Sequence, residues 1–283
     1  MKVLAMVNNA GSQGKTTVAF NLAHGLAAHY GQRVLVIDCD HQMNLTYHAG
    51  IPQDLEQQYA EDGSGDSIDG VLKPLSIYDT LLKSALLPQP IQIHGVHVIP
   101  ACVDLDEAER MVGSNLNPQE GLADSLDLYK DDYDLVILDC PPSFGNITTI
   151  MLMVATHVAV PLTPNFKGTQ GSQRVIRKLK MLNERSRRKA HVKLLGYTIT
   201  QIDLKGQHAQ ASLEYIHSYC RHNGIPVLGE LSSKANQYNN AMAAGYPIAI
   251  NVGTTRAVKL EMMALVDSYA AALGLQLPVS VPA

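Results

Sequence analysis

The stretch NNAGSQGKTT, residues 8–17, sets glycines beside a lysine and two threonines directly after the apolar run KVLAMV (2–7). Residues of these types in this order suit phosphate. Backbone N–H groups of a tight turn point inward at an anion, and a helix opening at Lys15–Thr16 adds its positive end. Gly11, Ser12, Gln13, Gly14, Lys15, Thr16 and Thr17 are therefore the candidate phosphate cradle. Lys15 would reach the β- and γ-phosphate oxygens of a nucleotide, and the Thr16 hydroxyl would ligate Mg²⁺. The match to GxxxxGK[ST] is incomplete, because Asn9 stands where the first glycine belongs.

Two further stretches carry acids where such a cradle needs them. LVILDCPPS (135–143) is an apolar run ending in Asp139, an acid placed to hold the Thr16 hydroxyl or a water ligand of the metal. VIDCDHQMNLT (36–46) ends another apolar run with Asp38 and Asp40, two residues apart. In an extended chain both point the same way, toward the edge of the sheet where ligands collect. Asp38 and Asp40 join Lys15 as the candidate catalytic residues, a carboxylate there orienting the attacking water. Cys39 and Cys140 follow two of these acids and read as buried thiols rather than metal ligands, and with Cys102 and Cys220 they show no pair spacing. That usage fits a reducing cytosol.

The elements that position these residues alternate between short apolar runs and helical periods. Strands are expected at 2–7, 33–40, 96–100, 134–139, 157–162, 193–200, 226–231 and 247–250. Over residues 15–30, Val18, Leu22, Ala23 and Leu26 share one helical face, and Gly31 is the expected stop. Alternation of this kind predicts an α/β fold: a doubly wound, mainly parallel sheet with helices on both faces. No linker divides the chain, so residues 1–283 read as a single domain with an acidic insertion loop around 52–70, where PQDLEQQYAEDGSGDSIDG holds six acids and three glycines. A run of about 18 apolar residues, the membrane-span signature, is missing. The final LQLPVSVPA has two prolines and no charge, unlike a basic membrane-surface helix.

Net charge is −4, so a nucleic-acid contact must come from a local patch. Residues 174–193, RVIRKLKMLNERSRRKAHVK, hold nine of the 22 basic residues and one acid. Val175, Leu179 and Leu182 can face a core while Arg174, Arg177, Lys178, Arg185, Arg187, Arg188 and Lys189 project. Such a face attracts phosphates without reading bases. Arg256 and Lys259 are weaker candidates.

The ensemble resembles the ParA/MinD-type ATPases, which carry the deviant Walker A loop KGGxGKT[ST]. DCDHQMNLT (38–46), SIYDTLL (76–82), IPACVDLDEAE (99–109), YDLVILDCPPSFGNIT (133–148) and AAGYPIAINVGTTRAVKLEMMAL (243–265) are similar to successive segments of that family. His41 replaces a proline, and Ser12 a glycine. The resemblance implies a P-loop fold, ATP and Mg²⁺, an ATP-dependent homodimer, slow hydrolysis stimulated by a partner, and nonspecific nucleoid DNA in the cytoplasm. It also implies a lysine at position 10 that crosses to the partner's phosphates, and here there is Ala10. Lys167, in PLTPNFKGTQG, is the expected replacement, with Gly168 allowing an unusual turn and Pro164 stiffening the approach. Loss of that lysine with the rest retained resembles the carboxysome-positioning McdA branch, which works through a small adaptor protein. A plasmid or chromosome partition ATPase is the first alternative; it would ordinarily keep that lysine, and often carry an N-terminal DNA-reading domain. A metabolic P-loop ligase or synthetase is the second, and a MinD-like membrane protein the third. GTP is disfavoured, since TQID (200–203) lacks the asparagine and lysine of NKxD. Cys140 is misplaced for an iron–sulfur reductase.

Overall fold

The computed structural model describes residues 1–51, 76–83, 87–102, 104–112, 117–185, 192–203, 207–232 and 235–276. The acidic stretch 52–70 lies outside them. Eight strands form one sheet: β1 (Lys2–Met6), β2 (Val34–Asp38), β3 (Ile91–Ile93), β4 (Val96–Ile99), β5 (Leu135–Asp139), β6 (His157–Leu162), β7 (Lys193–Ile202) and β8 (Val227–Ser232). Among the described residues the helices are α1 (Lys15–Tyr30), α2 (Asn44–His48), α3 (Tyr78–Lys83), α4 (Leu105–Met111), α5 (Pro118–Leu128), α6 (Asn146–Val154), α7 (Phe166–Arg185), α8 (Gln207–Asn223), α9 (Ala235–Ala243) and α10 (Arg256–Ala272).

Strand order is β3-β4-β2-β5-β1-β6-β7-β8, and every adjacent pair is parallel except β3 with β4. The expected doubly wound α/β architecture is therefore present. Parallel strands covered on both faces are apolar at nearly every position, and β2 and β5 are buried throughout. Their side chains alternate between two cores. Val3, Ala5, Leu35, Ile37, Val136 and Leu138 pack under α3 to α8. Leu4, Met6, Val34, Val36, Leu135 and Ile137 pack under α1, α2, α9 and α10. The same parity directs Asp38 and Asp139 to the α1 face and Cys39 and Cys140 to the other, where Cys39 Sγ lies 3.6 Å from Met151 Sδ of α6.

Two elements differ from the sequence expectation. The stretch at 247–250 is a turn: Ile248 donates its N–H to Asn21 Oδ1 at 2.6 Å, and Ile250 and Asn251 bond back to Pro247 O. A side chain of α1 satisfies the amide that a neighbouring strand would otherwise take. Strand β3 was not anticipated. It pairs with β4 through the two-residue turn His94–Gly95, with φ of 48° and 80°, the paired positive values of a tight hairpin. Helix α1 ends as expected, with Gly31 in the left-handed region at φ 62°.

Leu22, fully buried on the inner face of α1, tests this packing. Leu22→Ala should lower unfolding free energy by about 2–5 kcal/mol, measured by urea denaturation.

Candidate active site

The carboxyl ends of β1, β2 and β5 meet at one edge of the sheet, where Asp38 lies in register with Asp139, and Asp139 with Met6. The loop after β1 turns there into α1. Two residues take left-handed conformations, Ser12 at φ 57° and Gly14 at φ 78°. A side chain at Gly14 would also crowd Thr200, whose Cγ2 would lie 3.1 Å from the added Cβ. Gln13 is buried and bridges outward: its Nε2 donates to Gly11 O at 2.8 Å, and its Oε1 accepts from Thr163 N and Oγ1 at 2.9 and 3.0 Å. Strand β7 pins the loop from the other side, Thr200 Oγ1 donating to Gln13 O at 3.0 Å and Gln201 Nε2 to Ser12 O at 3.2 Å. Gly11 and Ser12 are exposed, while Thr16 and Thr17 are half-buried at the mouth of α1.

Lys15 is buried, with one long contact from Nζ to Ala10 O at 3.5 Å. Burial lowers its pKa, and the charges of Asp139 and Asp40 partly offset this. Asp139 is buried, and beyond the nearby Thr16 hydroxyl neither carboxylate oxygen has a hydrogen-bond partner among the described residues. Burial first, and the adjacent Asp38 charge second, push its pKa up to about 8, while Lys15 and the nearby Thr16 hydroxyl pull the other way. Asp38 is fully buried too, and burial raises its pKa to about 6. Three donors restrain that rise: Thr46 N at 2.9 Å, Thr46 Oγ1 at 2.8 Å and Asp40 N at 3.1 Å. Asp139 has fewer donors than Asp38, so burial raises its pKa the further of the two.

The two acids at the end of β2 are not placed alike, although an extended chain would point both the same way. The strand ends at Asp38, and the carboxylate of Asp38 is committed to Thr46, whose Oγ1 in turn accepts from Ala101 N at 2.9 Å. Asp40 lies beyond the strand, accepts from Gln42 N at 3.1 Å, approaches His41 Nδ1 at 3.7 Å and acts on Lys15 through its charge. Asp40 and Asp139 are thus brought to Lys15, and Asp38 is held back.

Lys167 is not a loop residue. It lies exposed in the first turn of α7, beside Phe166, which is 78% exposed. Gly168 is helical and takes no unusual turn; its need is space, since an added Cβ would fall 2.4 Å from Thr163 O. Along α7, Arg174 and Arg177 are exposed, Lys178 is half-buried, and Val175 and Leu179 face the core. Arg185 ends the helix, and Arg187, Arg188 and Lys189 lie outside the described residues. Arg256 opens α10 on the opposite face of the sheet, so the fold does not gather it with Arg174 and Arg177.

Sequence reasoning did not single out Thr46, Thr163, Thr200 or Gln201, all of which hold the loop or its acids. A threonine closing an apolar strand, as Thr200 nearly does β7, is the available signal. Beside the loop a recess opens, lined by Thr17, Thr200, Gln201, Leu231, Tyr238 and Asn239.

Residues 1–192 match the AAA_31 family, an AAA domain. The chain belongs to this family. This AAA_31 chain is 28% identical over 230 residues to the chromosome partitioning protein ParA of Myxococcus xanthus, covering 80% of this chain and 74% of that one. Among solved structures it resembles cobyrinic acid a,c-diamide synthase from Mycobacterium smegmatis with bound ADP and magnesium, at TM-score 0.72, 25% identity and full coverage of both chains. It also resembles a single-substitution variant of Cyanothece McdA in complex with ATP, at TM-score 0.76 and 19% identity, covering 99% of each chain.

A prediction follows from the unpaired acid. A carboxyl whose folded pKa is about 8 against 3.8 in the open chain takes up a proton on folding. Its contribution is therefore lost as pH rises from about 4 through about 8. Asp139→Asn should flatten that decline and stabilise the nucleotide-free protein at pH 8 by about 1–3 kcal/mol. Thermal melts across pH 5–9 measure it.

Proposed function

We propose that this AAA_31 chain is a ParA/MinD-type P-loop ATPase whose ATP-bound subunits pair, hold DNA without regard to sequence, and position a protein cargo through an adaptor. The carrying observation is the buried Asp139 carboxyl, with the Thr16 hydroxyl beside it and no other hydrogen-bond donor among the described residues, set near Lys15 at the mouth of α1. An acid in that state suits a hydrated cation. Thr16 and Asp139 would hold Mg²⁺, directly or through its waters, and the ion would neutralise phosphate charge. The amides of residues 11–17 and Lys15 bind the phosphates of ATP. The recess at Tyr238, Leu231 and Gln201 takes the base, apolar surface against its face and an amide at its edge. Asp40, rather than Asp38, faces the phosphates and orients the attacking water.

Pairing is supported by the crest itself. Ala10 offers no charge, while Lys167 and the exposed Phe166 ring project from the same edge of the sheet. Lys167 reaches the partner's phosphates, and the desolvated ring covers the join. Arg174, Arg177 and Lys178 then form the DNA face, doubled by the dimer. Arg185, Arg187, Arg188 and Lys189 continue it, and Arg256 makes a separate contact. The absence of a lysine at position 10 and the likeness to McdA favour carboxysomes as cargo; a plasmid or chromosome is the alternative within the same chemistry. No described helix is long and apolar enough to cross a membrane. The likeness to the diamide synthase supports a second reading, an ATP-consuming synthetase with a small acid as acceptor.

The switch is tested by light scattering with ATP and Mg²⁺. Wild type should dimerise, Lys15→Ala should lose nucleotide binding, and Asp40→Ala should bind ATP and remain dimeric. A monomer in ATP for wild type and Asp40→Ala alike would sink the proposal, and phosphate release that requires a small acid would favour the synthetase. Lys167→Ala should weaken dimerisation by roughly two to four powers of ten, since two symmetry-related charge-assisted bonds of about 1.5–3 kcal/mol each vanish together.

DNA affinity should require ATP and fall with salt at a log–log slope of about −0.9 per phosphate neutralised. Joint replacement of Arg174 and Arg177 by Ala should weaken binding to all sequences alike. Unchanged binding in a filter assay would move the footprint off α7.

A further inference from the structure

Helix α7 stands unusually close to the phosphate loop, and two glycines permit it. A Cβ at Gly171 would lie 2.2 Å from Asn8 Oδ1 and 3.3 Å from Ala10 Cβ. One at Gly168 would lie 2.5 Å from Gln13 Oε1. The loop and the first two turns of α7 are therefore packed backbone against side chain, with no layer between them. Ala10, where related loops carry lysine, is itself part of that contact.

Hydrogen bonds join the same two elements in one continuous series. Gln13 Nε2 donates to Gly11 O at 2.8 Å, inside the loop. Gln13 Oε1 accepts from the backbone N–H of Thr163 at 2.9 Å and from its hydroxyl at 3.0 Å. With that proton spent, Thr163 Oγ1 accepts from Asn165 Nδ2 at 2.7 Å. Asn165 Oδ1 then accepts from Gly168 N at 2.8 Å, the N-cap bond of α7. Every hydroxyl and amide in the series has one orientation that satisfies its neighbours, and Gln13 and Thr163 are buried. Such a network has low freedom and polarises along its length.

We propose that Gln13 is a positioning residue: through Thr163 and Asn165 it fixes the first turn of α7, and with it Lys167, relative to the phosphate loop. This deepens the functional reading above and rests on Lys167 as the contact across the dimer. A glutamine is needed because one side chain must donate to the loop carbonyl and accept twice from the strand end. Methionine fills about the same volume, cannot donate and accepts only weakly. Loop and lysine move as one body, so phosphate bound by a subunit's own loop sets where its lysine meets the partner's nucleotide.

Three variants of the full chain test this: Gln13→Met, Asn165→Ala and the double replacement. Without nucleotide, hydrogen exchange of the Gly168 amide should quicken about tenfold in Gln13→Met, the equivalent of one lost hydrogen bond. Unchanged protection there would overturn the series, whatever the protein's function proves to be. With ATP and Mg²⁺, each single variant should weaken dimerisation about tenfold, and the double variant should be no weaker than the worse single, because the bonds act in line. Losses that multiply in the double variant would show Gln13 acting on its own loop and not through α7, and would also overturn the proposal. Failure of wild type to dimerise would strike the functional reading instead, leaving the exchange result to decide the network.

Discussion

Lys15 and Asp139 are both buried at the crest of the sheet, and neither has the hydrogen bonds that its charged form calls for. Taking either group out of water alone is costly, and their mutual attraction returns part of that cost. β2 and β5 run in register on one side, β1 on the other, and α1 grows directly from the loop that carries the lysine. The left-handed Gly14 and the β7 donors on the loop hold the segment that carries Lys15 in place beside the strand ends. A site built in this way is incomplete without a ligand that brings its own charges of both signs, and a metal-bound polyphosphate is such a ligand.

The three acids at the crest illustrate how environment divides labour among identical side chains. Asp38 is surrounded by donors and ties α2 to the ends of β2 and β4, so its oxygens are full. Asp139 is equally buried with only the Thr16 hydroxyl near it, so burial and the Asp38 charge push its pKa up. Asp40, just past the strand end, is linked to the backbone of Gln42 and to the field of Lys15. Residue type alone does not distinguish them; the number of N–H and O–H groups aimed at each one does.

Much of this was legible in the sequence because local pattern and global fold agree. Apolar runs two to six residues long ending in an acid, alternating with helical periods, leave few arrangements other than a parallel sheet with its chemistry at the carboxyl ends. The placing of Asp38 and Asp139 at strand ends and of Lys15 at the start of α1 was legible on that ground. What escaped were partners distant along the chain. Thr200 and Gln201 reach the loop from nearly 190 residues away, and Gln13 was read for its backbone while its side chain joins two elements. The 247–250 run misled because its apolar alternation is that of a strand, while its amide is taken by Asn21, a contact no periodicity encodes. Lys167 was placed in a loop because Pro164 and Gly168 punctuate the stretch; Gly168 is instead where a helix comes within touching distance of Gln13 and Thr163.

All four cysteines are buried thiols outside any disulfide, and the thiols of Cys39, Cys140 and Cys220 are pushed up by desolvation, away from the reactive thiolate. The folded chain is thus a silent background for maleimide chemistry. A single cysteine introduced on an exposed position of α7 would be the one fast-labelling site, ready for a fluorophore or spin label. The native thiols would then serve as a clock for unfolding, since their labelling waits for the sheet to open.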